Sequence, residues 1–162
     1  MLVSIPTSNS IGTRAAPTVY LIDTNVLSER RKGRKADPGV VDFFRRARNE
    51  LFVPVQVAGE IEGGIERLRQ RGDHPQAQLL EKWYRSVLAE FSDHFLTFDL
   101  ESAKVWGVLI GANEQHSIDK QIAAIALLYD LTIVTRNTAR FSGIGARILN
   151  PFLAGHSSGA AN

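Results

Sequence analysis

The chain has 162 residues, of which 44% are hydrophobic and 22% charged, as is typical of one globular domain. Its 19 basic and 17 acidic side chains leave a net charge of +2, which by itself does not indicate nucleic-acid binding. The absence of cysteine excludes thiolate metal sites, disulfides and cysteine nucleophiles. No apolar run approaches the roughly 18 residues of a membrane span, so we expect a cytoplasmic protein with no membrane attachment.

The two ends of the chain differ in composition from the region between them. Residues 1–18 are rich in Ser, Thr, Asn and Pro and carry no secretory signal pattern. We interpret them as a flexible leader and residues 153–162 as a flexible tail. The predicted domain therefore spans residues 19–152.

Short apolar runs predict the strands. Residues 19–22 (VYLI) fit a strand buried on both faces, and this run ends at Asp23. A second run, residues 51–55, contains Pro54, so its strand should lie near a sheet edge or end early. Residues 131–134 (LTIV) form a third run, and residues 95–98 and 146–149 are weaker candidates.

Between these runs, apolar residues recur at helical spacing. The four stripes begin at Val57, Ala77, Ala103 and Ile122. A turn at Gly72 separates the first two, which predicts a helical hairpin over residues 56–91. Strands that alternate with helices predict an α/β domain with a mainly parallel sheet.

Polar side chains follow the predicted strands. Asp23 ends the first strand, Thr135 and Asn137 follow the third, Glu60 lies in the first turn of a helix, and Asp119 begins another. Each taken alone is explained by a cap, a turn or a solvated helix position. In a parallel sheet they would meet at one edge, where three carboxylates repel one another unless a cation offsets their charge. A hard ion such as Mg²⁺ or Mn²⁺ suits oxygen ligands.

Five segments in order carry a family resemblance: YLIDTNVLSE (20–29), GEI (59–61), DKQIAAIAL (119–127), LTIVTRNTARF (131–141) and ILNPF (148–152). Together they resemble a PIN domain and, more narrowly, the FitB-like group of VapC toxins from type II toxin–antitoxin systems. The resemblance implies a three-layer α/β/α fold and a magnesium- or manganese-dependent ribonuclease. It also implies inhibition by a cognate DNA-binding antitoxin, and a homodimer or larger toxin–antitoxin assembly.

The resemblance assigns site residues one by one. Asp23, Glu60 and Asp119 match the family's acidic metal-binding positions, and Asn137 stands where some members have a fourth acid. Thr24 and Thr135 would hold or orient the carboxylates.

Three residues depart from the family pattern. Arg140 replaces a common acid, while Lys120 and Gln121 follow Asp119 in place of small or apolar residues. Two outcomes remain open for these groups: they attract phosphate, or they change the affinity for metal.

Five of the six residues at positions 30–35 are cationic: Arg30, Arg31, Lys32, Arg34 and Lys35. Such a run is often a solvated loop. Because it follows Asp23 closely, we interpret it as a rim that binds RNA.

Other features have simpler interpretations. Gly63 and Gly64 either admit an antitoxin segment or allow tight internal packing. Trp83, Tyr84 and Trp106 suit core or dimer packing better than base stacking. The four histidines, at positions 74, 94, 116 and 156, fit surface or turn positions because none has a metal-binding spacing.

The sequence features bear on three functions. The first is a metal-dependent endoribonuclease that acts as the toxin of a toxin–antitoxin pair. The second is a catalytically degenerate PIN-like module that binds RNA or protein, which Lys120, Asn137 and Arg140 would favour. A phosphatase with Asp23 as nucleophile is disfavoured, because Asn25 stands where a second aspartate is expected.

Overall fold

The computed structural model describes residues 17–47 and 50–153. Most of the predicted leader, nearly all of the predicted tail and His156 lie outside the described residues. The strands are β1 (Tyr20–Ile22), β2 (Leu51–Pro54), β3 (Phe95–Leu96), β4 (Thr132–Val134) and β5 (Arg147–Leu149). The α-helices are α1 (Thr24–Arg30), α2 (Pro38–Arg46), α3 (Val55–Gln70), α4 (His74–Glu90), α5 (Leu100–Ala112) and α6 (Ser117–Leu128). Two 3-10 helices cover Gly33–Lys35 and Thr138–Phe141.

The strands form one parallel sheet in the order β3-β2-β1-β4-β5. The predicted α/β class and parallel sheet are therefore confirmed. β2 ends at Pro54, which caps the start of α3, so this strand ends early as predicted, although it lies inside the sheet rather than at its edge.

Two apolar clusters pack on opposite faces of the sheet. Ile22 belongs to the cluster formed with α1–α4, and its neighbour Leu21 belongs to the cluster formed with α6. Successive residues of a strand point to opposite faces, so β1 is buried on both sides. This confirms the three-layer α/β/α arrangement and explains the continuous apolar run of the first strand.

The helical hairpin is confirmed as α3 and α4, with Ile65 and Tyr84 in the core between them and the sheet. Trp83 is half-buried against the same core. Trp106 packs edge-on to Phe98 at 6.0 Å, and its indole nitrogen donates to the Ser117 carbonyl at 3.2 Å. These aromatic residues pack inside the domain, as predicted.

Helices α1 and α2 were not predicted from the apolar stripes. The basic run is consequently not one loop: Arg30 is the last residue of α1, and the 3-10 helix begins at Gly33. α1 has seven residues, too few to display a clear helical period.

The glycine pair in α3 does not require tight packing. A Cβ atom at Gly63 would approach only the end of the Arg67 side chain, at 3.3 Å, and one at Gly64 would make ordinary contact with Leu80 at 3.8 Å. The tight-packing interpretation is therefore wrong.

In the described part of the chain, every helix is too short or too polar to cross a membrane.

Candidate active site

Asp23 lies at the carboxyl end of β1, in the middle of the sheet. Its backbone N–H donates to the Val134 carbonyl at 3.0 Å, which continues the β1–β4 pairing. Its Oδ1 accepts from the Thr24 N–H at 2.8 Å, so the carboxylate caps α1. Oδ2 accepts from Asn25 Nδ2 and from Thr135 Oγ1, each at 2.8 Å. Asp23 is buried and oriented by donors from both neighbouring segments.

Thr135 and Asn25 join the ends of β1 and β4. Thr135 is fully buried, and its hydroxyl oxygen accepts from Asn25 Nδ2 at 3.1 Å and from the Asn137 N–H at 3.0 Å. Asn25 Oδ1 accepts from the Arg136 N–H at 2.9 Å. Asn137 thus lies beside the site through its backbone, while the residue as a whole is exposed.

Glu60 reaches the same edge from α3. The helix begins at Val55, so Glu60 lies in the second turn, and the expectation of the first turn is wrong. Its Oε2 accepts from the Thr24 hydroxyl. Burial raises the pKa of the Glu60 carboxyl, and the negative charges of Asp23 and Asp119 raise it further, against the opposing hydrogen bond from Thr24.

Asp119 is buried in the first turn of α6, but the helix begins at Ser117 and not at Asp119 as predicted. Burial raises the pKa of its carboxyl, the charge of Asp23 adds to this, and the positive charge of Arg140 opposes it. Arg140 Nη1 is 3.5 Å and His116 Nδ1 is 3.9 Å from Asp119 Oδ2. Two groups that can be positive therefore flank this carboxylate.

Thr24 links two of the acids, because its N–H donates to Asp23 and its hydroxyl donates to Glu60. The charge of Asp23 raises the pKa of both Glu60 and Asp119, so the three acids lie close together. Their oxygen atoms are the donors that Mg²⁺ and Mn²⁺ prefer, and an ion would offset their repulsion, so the chemistry of the donor set fits such an ion. Within residues 17–47 and 50–153, however, no three His, Asp or Glu side chains are arranged to hold a metal ion as they stand. The three acids therefore suit a Mg²⁺ or Mn²⁺ ion in the type of their donor atoms and in their location at the sheet edge.

The three residues that depart from the family pattern have different surroundings. Arg140 faces Asp119, but the Lys120 ammonium donates to the Asn113 carbonyl, and Gln121 Oε1 accepts from Gln56 Nε2 at 3.1 Å. Of these three groups, Arg140 contacts an acid of the site.

The first two cations of the basic run pack against the domain. Arg30 forms a two-pronged pair with Glu90, and its guanidinium lies 4.8 Å from the centre of the Phe44 ring. Arg31 lies over Trp83 at 5.4 Å.

The later cations open onto a cavity of roughly 500 Å³ that Arg136 also lines. Lys32 Nζ donates to Glu29 at 2.5 Å, while Arg34 and Lys35 are exposed. Burial would raise the pKa of Glu29, but hydrogen bonds from Lys32 and the Asp37 N–H, with the charges of Lys32 and Arg136, lower it on balance. Of the five cations in the predicted RNA rim, Arg30 is thus partly buried and paired with Glu90, whereas the other four are exposed.

The tertiary structure shows how three further residues reach the acids. Asn25 follows Asp23 by two residues, but its link to Thr135 depends on the pairing of β1 with β4. His116 was expected on the surface or in a turn, and it is exposed with a φ of 55°, yet it also adjoins Asp119. Arg140 was noted only as a departure from the family pattern. Their proximity to the acids comes from the fold.

The fold and the acidic cluster define an α/β protein with its candidate site at the carboxyl edge of a parallel sheet, where ligands of such sheets collect. The model of the PIN domain family matches residues 20–146. The chain belongs to this family, as the sequence motifs indicated.

Known proteins match over most of the chain. The plasmid stability protein StbB of Pseudomonas syringae pv. tomato is 31% identical over 142 residues, covering 84% of this chain and 100% of that protein. Toxin FitB of Neisseria gonorrhoeae is 25% identical over 139 residues, covering 83% and 99%.

Solved structures agree with the fold. The crystal structure of FitAcB from Neisseria gonorrhoeae has a TM-score of 0.71 at 25% identity, covering 82% of this chain and 98% of that chain. FitAB bound to a DNA fragment has a TM-score of 0.65 at 23% identity, covering 86% and 100%.

Proposed function

We propose that this protein is a magnesium- or manganese-dependent endoribonuclease and the toxin of a type II toxin–antitoxin pair. The observation that carries the proposal is the meeting of Asp23, Glu60 and Asp119 at the carboxyl edge of the sheet in a PIN-domain chain. Toxin FitB, a relative of full length, supports the toxin part. RNA in the cytoplasm is the proposed substrate.

The three acids would hold the ion, directly or through water. When bound, a divalent ion generates a nucleophilic hydroxide from water near neutral pH and neutralises charge on the phosphate. Thr135 and Asn25 fix the Asp23 carboxylate, and Thr24 does the same for Glu60, so the ligands keep their orientation. Asn137 would add a polar group from the loop after β4, where its N–H donates to the Thr135 hydroxyl.

RNA would be attracted by the cations around the acids. Lys32, Arg34 and Lys35, together with Arg136, surround a polar cavity beside the Asn25–Thr135 link. Phosphate groups of RNA bind such cations because counterions are released. Arg31 lies over Trp83 but is exposed, so it would add to the positive rim for RNA, whereas Arg30 would contribute little because Glu90 neutralises its charge.

A cognate DNA-binding antitoxin is the proposed protein partner, and a homodimer or larger toxin–antitoxin assembly is the proposed functional form. The structural likeness to FitAcB and to FitAB bound to a DNA fragment supports this arrangement.

Cleavage of RNA by the purified protein tests the proposal. We expect Mg²⁺- or Mn²⁺-dependent hydrolysis in the wild type and no cleavage by Asp23→Asn, with both proteins folded by circular dichroism. Glu66→Gln removes an exposed acid from α3 away from the cluster and should keep full activity. An unchanged metal-dependent rate in Asp23→Asn would refute the nuclease assignment.

A second candidate function is a degenerate PIN-like module that binds RNA or protein without cleaving it. The contact of Arg140 with Asp119 favours it, because an internal cation already offsets part of the acidic charge. Calorimetry with Mn²⁺ separates the two functions. Saturable binding that is lost in Asp119→Ala supports the nuclease, whereas RNA binding without metal binding supports the module.

A further inference from the structure

A cavity of roughly 520 Å³ adjoins the acidic cluster on the side of Asp119. It lies between α5, the turn that leads into α6, and the 3-10 helix Thr138–Phe141. Both His116 and Arg140 line it, and each lies within 4 Å of Asp119 Oδ2. A group in this cavity would therefore lie next to a phosphate held at the acids.

The lining of the cavity combines apolar walls with polar edges. Val108, Leu109, Ala112 and Ile144 supply apolar surface, and Val108 is 77% exposed. Amide groups at the rim come from Asn113 and Gln115. Pockets of a few hundred cubic ångströms with apolar walls and a few polar groups are typical binding sites for small organic groups.

The polar rim is held in place by its own hydrogen bonds. The Lys120 ammonium donates to the Asn113 carbonyl, and Asn113 Oδ1 accepts from the Gln115 N–H at 2.7 Å. Gly143 closes the opposite side with a φ of 76°, a conformation that favours glycine. These hydrogen bonds connect the rim residues of the cavity to one another.

We propose that this cavity binds a nucleobase of single-stranded RNA next to the cleaved phosphate and so sets the sequence preference of the enzyme. The planar imidazole of His116 and guanidinium of Arg140 would stack on the base, and the amides of Asn113 and Gln115 would bond to its edge. The apolar walls explain why the ligand is a base rather than a phosphate alone, and the cations at the rim suit an anionic strand. The inference rests on the proposed ribonuclease function.

Ala112→Phe tests the inference because Ala112 is exposed and a phenyl ring there would fill the cavity. Leu100→Phe is the matched control, since Leu100 lies on the same helix, is 71% exposed and is outside the cavity. Binding is measured by fluorescence anisotropy in EDTA, so that RNA is not cleaved. The probes are four labelled homopolymeric RNA octamers and one octamer of the same backbone without bases.

We expect Ala112→Phe to lower the affinity for the preferred RNA octamer by about tenfold, which corresponds to the loss of one stacked base. Its affinity for the octamer without bases should stay at the wild-type value. Leu100→Phe should match the wild type with every probe. Equal wild-type affinity for octamers with and without bases would overturn the inference. So would unchanged RNA binding in Ala112→Phe together with loss of binding to the co-expressed antitoxin, because the cavity would then serve a protein partner. If the ribonuclease proposal itself fails, the wild type will show no metal-dependent cleavage. That result is separate from the binding results that test the cavity.

Discussion

The Thr135 hydroxyl donates a 2.8 Å hydrogen bond to Asp23 Oδ2, across 112 residues of sequence. The two residues meet because β1 and β4 are neighbours in the sheet and both end at the same edge. The bond lies in the buried interior, so nothing from solvent replaces it when it is lost. The orientation of the central acid thus depends on a residue from the far end of the chain.

Thr135→Val should weaken both stability and activity, because it keeps the shape of the side chain and removes the hydroxyl. Loss of the donor to a buried carboxylate costs about 1–3 kcal/mol in the free energy of unfolding. We expect cleavage to fall by about tenfold or more, as for other residues that orient metal ligands. Urea denaturation and initial cleavage rates measure the two effects. Thr135→Ser retains the hydroxyl and should recover most of both; a serine variant as impaired as the valine variant would contradict this role.

The raised pKa of Glu60 predicts a pH-dependent difference between the metal-free wild type and Glu60→Gln. In the folded protein this carboxyl takes up a proton more readily than in the unfolded chain, so its ionised form costs stability at neutral pH. The cost disappears below the unfolded pKa of about 4.3. We expect Glu60→Gln to have the higher urea midpoint at pH 7 and the two midpoints to converge near pH 4.

Glu66→Gln serves as the control for the Glu60 comparison. Glu66 lies on the same helix, and its side chain is 56% exposed. We expect a smaller effect of Glu66→Gln on the urea midpoint at pH 7. If Glu60→Gln and the wild type differ by the same amount at both pH values, the assigned pKa shift is wrong.

Arg140→Gln should tighten Mn²⁺ binding by about tenfold, because removing a positive charge a few ångströms from the acids leaves a more negative site for the ion. The same change should raise the pKa of Asp119 further, since Arg140 opposes that shift. Calorimetric titration with Mn²⁺ at two ionic strengths measures the affinity. Arg85→Gln, which removes an exposed arginine from α4, should leave it unaltered. Equal or weaker binding in Arg140→Gln would mean that Arg140 does not compete with the ion.

Alanine substitutions in the basic run should affect RNA binding differently, depending on whether the cation is exposed or packed. Arg34→Ala and Lys35→Ala should weaken RNA binding and each reduce the slope of log affinity against log salt by about 0.7, as expected for one phosphate contact on a single strand. Arg30→Ala should leave that slope nearly unchanged and lower stability, because its guanidinium packs on Phe44 and pairs with Glu90. Salt titrations of RNA binding and thermal melts distinguish them. If Arg30→Ala reduced the salt slope while Arg34→Ala and Lys35→Ala did not, the assignment of Arg34 and Lys35 as the phosphate contacts would be wrong.

The strands and the hairpin could be predicted because burial leaves a local signature. The run from Tyr20 to Ile22 is apolar on both faces since both faces are covered by helices, and the stripe through Val57, Ile61 and Ile65 has the period of α3. Helix α1 was missed because seven residues give too little periodicity. Glu60 was placed one turn too early, since α3 begins at Val55 and its first turn ends before Glu60.

By itself, the sequence determined the class of fold and the parallel sheet, because apolar periodicity is a local property. It also predicted that Asp23, Glu60 and Asp119 lie at one edge of that sheet. Only the tertiary structure decided which side chains surround those acids. Asn25, Thr135, His116 and Arg140 come from separate segments, and the β1–β4 pairing and the packing of α6 against the 3-10 helix bring them together. The difference between Arg30 and the later cations was decided in the same way, since Arg30 at the end of α1 packs on Phe44 while Arg34 and Lys35 are exposed. Distances between segments arise from packing in three dimensions, which no local pattern of residues encodes.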